Sequence, residues 1–403
     1  MRSVIVLVAA VAFAACSASD SESQTAASGV AQGAPNTDLQ PAFAGQTRAP
    51  EVRSGVEINS EIVARGLNKP WALEFLPDGR VLVTEQPGAL RIVSRDGTVS
   101  APITGVPAVD ARGQGGLLDV ALSPAFAADR LVYLSFSEPR GDGASSTSVA
   151  RGRLNDSATA LENVQVIFRQ DPPWRSRGHF GSRLVWDREG RLFVTLGDRQ
   201  QSEPRVLAQD NSTLIGKVAR INADGTTPVD NPFVGQNGVR AEIWSSGHRN
   251  VQGADLHPET GALWTIEHGP QGGDELNVPR AGLNYGWPII TYGEEYTGFR
   301  IGEGIAAREG LEQPVYYWDP VIAPGGMRFY RGDLFPWGGD LLISGLRVES
   351  LVRLELEGVR VVGEERFALG LGRIRDIAEA PDGSIWLVTD ASDGKLVRLT
   401  PRR

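Results

Sequence analysis

This 403-residue chain has few cysteines and histidines and no excess of positive charge, and each of these shortages argues against a class of chemistry. Cys16 is the only cysteine, so the chain has no internal disulfide and no thiol pair. Three of the four histidines, His248, His257 and His268, do not share the spacing of zinc ligands. The net charge is −9 at pH 7, which argues against a nucleic-acid partner because phosphate binding needs a basic surface.

Two common catalytic patterns are also missing. No G-x-S-x-G segment is present, which disfavours a serine hydrolase with a nucleophile elbow. No G-x-G-x-x-G loop follows a predicted strand, which disfavours a nicotinamide-binding domain. In their place the chain has 48 glycines, 25 prolines and nine tryptophans, a composition that favours many short strands joined by turns.

The amino terminus has the features of an export signal. Arg2 precedes an apolar stretch, residues 4–15, that is too short for a stable membrane span. Small residues before Cys16 resemble a bacterial lipoprotein signal, whereas Phe13 stands where leucine is usual. Ordinary secretory cleavage and a buried thiol are the alternatives. We therefore predict a signal peptide over residues 1–16 and an exported protein, either periplasmic or anchored to the outer membrane through a lipid on Cys16.

The segment that follows is rich in Ala, Ser, Gln, Gly and Pro and has no periodicity, so we predict a disordered tether over residues 17–52. From residue 53 onward one pattern repeats: a short apolar strand, a Pro/Asp/Gly turn and a β-branched strand. It occurs six times, at residues 73–85, 120–136, 184–198, 254–269, 327–345 and 377–390. Each copy is a hairpin signal. Six hairpins with almost no helical periodicity predict an all-β fold over residues 53–403, a six-bladed β-propeller with four-stranded antiparallel blades.

His179 stands out among the residues that the long loops would bring to one channel mouth. It lies between two glycines in "RGHFG", where a ligand can approach closely. Asp198 ends the next hairpin and is placed to orient the imidazole. A histidine that is only a satisfied polar group is the alternative interpretation. We predict that His179 is a general base.

The arginines indicate an anionic ligand. Arg249, Arg347, Arg373 and Arg375 lie in glycine-rich or apolar surroundings, and guanidinium groups bind carboxylates. Ion pairs with local acids, such as Asp376 beside Arg375, are the alternative. The loop "EHGPQGGDELN" (267–277) offers exposed carbonyls, which suit calcium better than zinc, and a glycine-rich loop with solvated acids is the alternative.

Several of these segments together resemble the glucose/sorbosone dehydrogenase family, and most closely the bacterial aldose sugar dehydrogenases. They are "KPWALEFLPDGRVLVTE", "GQGGLLDVALSP", "GHFGSRLVWDREGRLFVTLGD", "EIWSSGHRNVQG", "EHGPQGGDELN", "NYGWP" and "GRIRDIAEAPDG". The resemblance covers residues 56–403. It implies a six-bladed propeller that uses pyrroloquinoline quinone (PQQ) and calcium to oxidise the anomeric hydroxyl of aldoses to lactones, and that passes electrons to an external quinone, cytochrome or dye.

The resemblance also implies roles for individual residues. His179 would be the base and Asp198 its orienting partner. The quinone would contact Gln114, Arg249, Asn250, Arg347, Arg373 and Arg375. Carbonyls of Gly269 and Pro270 would hold a catalytic calcium, and Glu275 with the backbone of Tyr285 a structural one. Lysine is frequent in the family where Arg347 stands. A non-catalytic, lipid-anchored binding propeller and a metal-dependent lactonase remain as alternatives.

Overall fold

The computed structural model describes residues 24–25, 27–28 and 32–402, and the predicted signal peptide with Cys16 lies outside these residues. Antiparallel sheets account for nearly all of the regular structure, and they form the six blades of a propeller. Helix is limited to two single turns, Phe126–Asp129 and Ser202–Arg205, and a 3₁₀ turn at Val206–Gln209. No helix within the described residues has the length and apolar character needed to cross a membrane.

Each predicted hairpin forms the first two strands of one blade, so the prediction of six blades is confirmed. The blades, numbered in chain order, contain these strands: blade 1, Pro70–Phe75, Val81–Glu85 and Ala89–Val93; blade 2, Leu117–Leu122, Leu131–Pro139, Ser145–Leu154 and Leu161–Arg169; blade 3, Gly181–Trp186, Arg191–Leu196, Lys217–Asn222 and Ile243–Ser246; blade 4, Val251–Leu256, Leu263–Glu267, Asp274–Asn277 and Tyr316–Trp318; blade 5, Pro324–Phe329, Leu341–Gly345, Ser350–Glu357 and Arg360–Ala368; blade 6, Ile374–Glu379, Ile385–Thr389 and Gly394–Pro401. The first strand of every blade faces the central channel, and these six strands contact one another in a ring.

The ring is closed by pairing the two ends of the folded region. Ile58–Leu67 adds to the last strand of the chain, Gly394–Pro401, and becomes the outer strand of blade 6. Two two-residue strands extend the sheets further: Gln24–Thr25 pairs beside Ile58–Leu67, and Ala27–Ser28 beside Arg360–Ala368. Such closure leaves few exposed strand edges.

Blade 1 is the exception to four regular strands. After Ala89–Val93 the chain runs alongside that strand, with Ile103 N donating to Leu90 O at 2.8 Å. The Ser100 side chain replaces one ladder bond by accepting the Ile92 N–H at 3.0 Å. A side chain that substitutes for the backbone in this way breaks the regular pairing of a strand.

Much of the predicted tether is packed against the propeller, which corrects the prediction of disorder for residues 32–52. Asn36 N and Thr37 N donate to the two carboxylate oxygens of Asp319 at 2.8 and 2.9 Å. Gln46 is fully buried and donates to Pro314 O at 2.9 Å. The composition suggested disorder because apolar residues are few, but polar side chains and backbone groups supply the anchoring contacts instead.

Candidate active site

All six channel-facing strands carry a β-bulge near their first residue, at the same end of the propeller. The extra residue in each strand lies within these pairs of ladder positions: Pro70/Ala72, Leu117/Val120, Gly181/Leu184, Val251/Gly253, Pro324/Met327 and Ile374/Asp376. A bulge turns a side chain out of the regular alternation of a strand. Four of the residues inside these breaks, Trp71, Leu118, Gln252 and Arg375, line a central cavity of about 230 Å³. The bulges therefore build the cavity wall.

His179 and Asp198 meet beside this cavity because their flanking strands are paired. Gly181 lies opposite Leu196 in blade 3, so the residues just outside the hairpin come together. His179 Nδ1 lies 2.6 Å from Asp198 Oδ1, and both residues are buried. The His179 backbone has φ = 49°, in the left-handed region, which directs the ring back towards Asp198. The predicted contact between these two residues is present.

The hydrogen bond to Asp198 fixes how the imidazole can act. An ionised carboxylate accepts a hydrogen bond from Nδ1–H and leaves the lone pair of Nε2 free, which is the form that a base needs. Burial and the nearby Arg249 guanidinium lower the pKa of His179, although Asp198 opposes this effect. Burial disfavours the charge of Asp198, yet the His179 ring and Arg249 hold the pKa of Asp198 below its usual range. The pair therefore consists of a neutral imidazole and a carboxylate.

Gln114 and Asn250 hold the backbone on either side of Phe180. The Gln114 side-chain oxygen accepts the His179 N–H at 2.8 Å, and the Asn250 oxygen accepts the Gly181 N–H at 3.1 Å. Gln114 also lines the cavity. Both amides thus position the histidine loop, a contact that the sequence alone did not reveal.

The arginines occupy different environments. Arg375 lines the cavity, donates to Gln252 Oε1 at 2.5 Å and lies 4.7 Å from the centre of the Trp71 ring. Arg373 also lines the cavity, but it is half exposed and forms an ion pair with Asp390 at 2.9 Å. Asp376, which follows Arg375 in sequence, pairs instead with Arg183 at 3.0 Å.

The remaining two arginines differ from each other. Arg249 donates to the carbonyl oxygens of His268 and Gly269 at 2.9 and 2.6 Å. Arg347 is exposed, and the structure does not bring its side chain to the cavity with the others. Its neighbour Leu346 lines the cavity instead.

The predicted calcium ligands lie in and near the third strand of blade 4. Gly269 is buried, its carbonyl accepts from Arg249, and its N–H donates to Asp274 Oδ1 at 2.8 Å. Burial, followed by the proximity of Glu267, raises the pKa of Glu275 well above its usual range. Tyr285 is buried against His248, with ring centres 5.1 Å apart. Among the described residues, no three His, Cys, Asp or Glu side chains are grouped to hold a metal by themselves, so backbone carbonyls would have to contribute.

The donors around the cavity suit a planar ligand with carboxylates. The buried Nε atoms of Arg249 and Arg375 have no hydrogen-bond partner. Because Arg375 lines the cavity, an acceptor bound there could satisfy its free donor. Guanidinium and amide groups around an aromatic wall at Trp71 fit the carboxylates and ring system of PQQ.

The comparisons with known proteins agree with this geometry. Residues 67–398 match the glucose/sorbosone dehydrogenase family. The chain belongs to this family. The aldose sugar dehydrogenase YliI of Escherichia coli K12 is 45 % identical over 352 residues, covering 86 % of this chain and 93 % of that protein.

Two other comparisons extend the family match. The crystal structure of the soluble aldose sugar dehydrogenase from Escherichia coli, in the apo-form, superposes with a TM-score of 0.82 at 45 % identity, covering 86 % of this chain and all of that one. The PQQ-bound aldose sugar dehydrogenase from Streptomyces coelicolor gives a TM-score of 0.71 at 29 % identity, covering 88 % of this chain and all of that one. The prediction of glucose/sorbosone dehydrogenase membership is confirmed.

Several residues of this family member were missed by sequence reasoning. Gln252 and Trp71 are placed in the cavity by bulges, which have no clear sequence signal. Arg199 is fully buried beneath the histidine loop, where it donates to Ser176 O at 2.9 Å and lies 3.7 Å from the centre of the Phe180 ring. The sequence shows an arginine directly after Asp198, but it does not show that this arginine is buried without a carboxylate partner.

Proposed function

We propose that the protein oxidises aldose sugars at the anomeric hydroxyl to lactones, with PQQ as the hydride acceptor and with calcium. The observation that carries the proposal is the buried, neutral His179, fixed by Asp198 at 2.6 Å close to a cavity where Arg375 has no carboxylate partner and an unsatisfied Nε donor. Family membership supports the class of reaction. When bound, PQQ supplies an ortho-quinone that accepts a hydride from the anomeric carbon.

The residues of the chain perform the remaining tasks. His179 Nε2 removes the proton of the anomeric hydroxyl, and the Asp198 carboxylate stabilises the imidazolium that results. Arg375, Arg249 and Arg373 would neutralise the carboxylates of the cofactor, and Gln252 orients Arg375 through their 2.5 Å hydrogen bond. Arg347, which is exposed, would contribute only if its side chain moved.

The calcium part of the proposal rests on the charge arrangement in blade 4. Glu275 lies opposite the buried Glu267, and burial together with the charge of Glu267 raises the pKa of Glu275. A divalent cation beside them would relieve this repulsion, and the nearby carbonyls would complete its ligands. The carbonyls of Gly269 and Pro270 would hold a second ion at the cofactor. Export to the periplasm, with a lipid anchor at Cys16, stays a prediction.

The function is tested by adding PQQ and calcium to purified apo-protein and following dye reduction with a panel of aldoses. We expect reduction that requires PQQ and a free anomeric hydroxyl, so a methyl glycoside of the same sugar should be inert. Appearance of the lactone identifies the product. Bound PQQ without turnover would favour a binding module, and hydrolysis of added lactone without dye reduction would favour a lactonase.

A further inference from the structure

Asp198 has a second strong donor that comes from another blade. Its Oδ1 atom faces His179 Nδ1 at 2.6 Å and accepts the Gln200 N–H at 2.7 Å. Its Oδ2 atom accepts the indole Nε1–H of Trp287 at 2.8 Å. Trp287 follows Asp198 by 89 residues and is almost completely buried. Both oxygens of the carboxylate are therefore engaged, one of them by an aromatic N–H.

The indole is held firmly in the position from which it donates. The Trp287 backbone N–H donates to Gly247 O at 2.9 Å, and its carbonyl accepts from Gln209 Nε2 at 2.7 Å. The guanidinium carbons of Arg249 and Arg205 lie 5.3 and 5.5 Å from the ring centre, within the range of cation–π attraction. These contacts fix both the backbone and the ring.

The Arg205 contact continues towards the surface. Arg205 Nη1 pairs with Glu295 Oε1 at 2.5 Å. Glu295 belongs to the hairpin turn of residues 294–300, where Glu295 N donates to Phe299 O at 2.8 Å. A chain of polar and stacking contacts thus runs from this turn through Trp287 to Asp198.

Rotation of the carboxylate decides whether His179 is held correctly. A carboxylate bonded through one oxygen turns easily about its Cβ–Cγ bond, and the imidazole then loses its orientation. A donor on the second oxygen locks the plane of the carboxylate, as hydrogen bonds to the outer atoms of metal-binding and catalytic side chains do at other sites. We propose that Trp287 is a positioning residue that fixes Asp198, and through it the base His179, for the proposed oxidation. This inference rests on the proposed function for its kinetic consequence, but the hydrogen-bond chain can be tested without it.

Trp287→Phe removes the N–H and keeps an aromatic ring. Because a hydrogen bond to a charged group is lost, we expect kcat to fall by about 10- to 100-fold, with PQQ affinity and the KM for sugar changed by less than about threefold. In the apo-protein the Nδ1 proton of His179 should exchange faster with solvent, as followed by nuclear magnetic resonance.

Trp318→Phe is the matched control. Trp318 is equally buried and donates its indole N–H to a carboxylate, Glu364 Oε2, at 3.1 Å, in the core between blades 4 and 5. The Trp318→Phe variant should lose about as much thermal stability as the Trp287→Phe variant, while its kcat and its His179 signal stay unchanged. Equal kcat values in the two variants, both near wild type, would overturn the positioning role.

A third measurement does not depend on folding of the Trp287 variant or on turnover. In the wild-type apo-protein the indole N–H signal of Trp287, one of nine such signals, should be protected from exchange, and Asp198→Asn should shift it and leave that of Trp318 in place. If no indole signal responds to Asp198→Asn, the proposed hydrogen bond is absent. If the signal responds but wild type with bound PQQ oxidises no sugar, the proposed function fails and the hydrogen-bond chain stands.

Discussion

Replacing Arg375 by methionine should strengthen the apo fold and weaken the cofactor site. Arg375 lies at the bulge of Ile374–Glu379, where its side chain reaches Gln252 and Trp71 but no carboxylate within hydrogen-bond distance. Burial, against the weaker opposing effect of Asp390, lowers the pKa of Arg375 to about 10 from 12.5. A lowered arginine pKa means that the folded chain pays a free-energy cost to keep the charge.

The size of this cost follows from the pKa. Each pKa unit corresponds to about 1.4 kcal/mol, so the shift sets an upper bound of about 3 kcal/mol. Methionine keeps the length and apolar stem but loses the Gln252 hydrogen bond, worth about 1 kcal/mol. Because Arg375 is also partly exposed, we expect the apo-protein to gain about 1–2 kcal/mol in free energy of unfolding. Loss of a charge-assisted bond to a carboxylate should weaken PQQ binding by about 10- to 100-fold.

Arg373→Met is the matched comparison. Arg373 lines the same cavity, but Asp390 at 2.9 Å and solvent already satisfy its charge. Its replacement should change stability little and weaken PQQ by less than about fivefold, because exposed pairs contribute about 1 kcal/mol or less. Denaturant unfolding of the apo forms and absorbance titration with PQQ measure both quantities. If Arg375→Met destabilises the apo-protein, or leaves PQQ affinity unchanged, the assignment of Arg375 as a strained anion anchor is wrong.

Three further predictions concern the base, the metal and the channel. His179→Gln should lower turnover by about 10²–10⁴-fold with PQQ binding retained, and near-normal turnover of the variant would exclude His179 as the general base. In the wild type, the pKa that governs the acid limb of the kcat/KM profile should lie below the ordinary histidine value of 6.5, because the pKa of His179 is lowered. Calcium should raise the melting temperature of the wild-type apo-protein, by the equivalent of about 2.7 kcal/mol at a hundredfold excess of calcium over its Kd. The Glu275→Gln variant should lose this shift. If the wild type melts at the same temperature in chelator and in calcium, the structural calcium site is absent. Burial, against the opposing effect of Arg183, raises the pKa of Asp119 to about 6 from 3.8, so between these pH values the folded chain retains a proton that the unfolded chain has lost, and the free energy of unfolding should fall as pH rises. In urea unfolding, the Asp119→Asn variant should show a fall over this pH range that is smaller than that of wild type by up to about 3 kcal/mol. An equal fall in both proteins would mean that Asp119 is ionised throughout.

The blades were predictable because each depends on local sequence. A turn such as residues 187–190 between two apolar runs specifies a hairpin whatever surrounds it, and six such turns give the number of blades. The His179–Asp198 contact was predictable for the same reason, since the two residues flank one hairpin. Blade 1 deviated only where the Ser100 side chain replaced a ladder bond.

What sequence reasoning missed depends on contacts between blades. Trp287 was not singled out from the sequence, because its partner Asp198 lies one blade away. Arg347 was expected at the quinone, but its side chain is exposed beside Leu346, which faces the cavity. The segment 32–52 was expected to be disordered because its composition is polar, yet its anchor Asp319 lies far along the chain.

The bulges explain how one scaffold can hold such a site. Regular strands around a channel would alternate their side chains and leave the mouth lined by whatever residue the alternation dictates. One extra residue at the start of each channel-facing strand frees that position from the alternation, so Trp71, Gln252 and Arg375 point into one cavity from three blades. Asp119 and Arg183 lie within two of these bulges, and the Arg183 guanidinium ties Asp119 to Asp376 across the channel at 2.9 and 3.0 Å. These ion pairs join three channel-facing strands next to the cavity-lining residues Leu118 and Arg375, so a guanidinium without a carboxylate partner, such as that of Arg375, can be maintained there without loss of the fold.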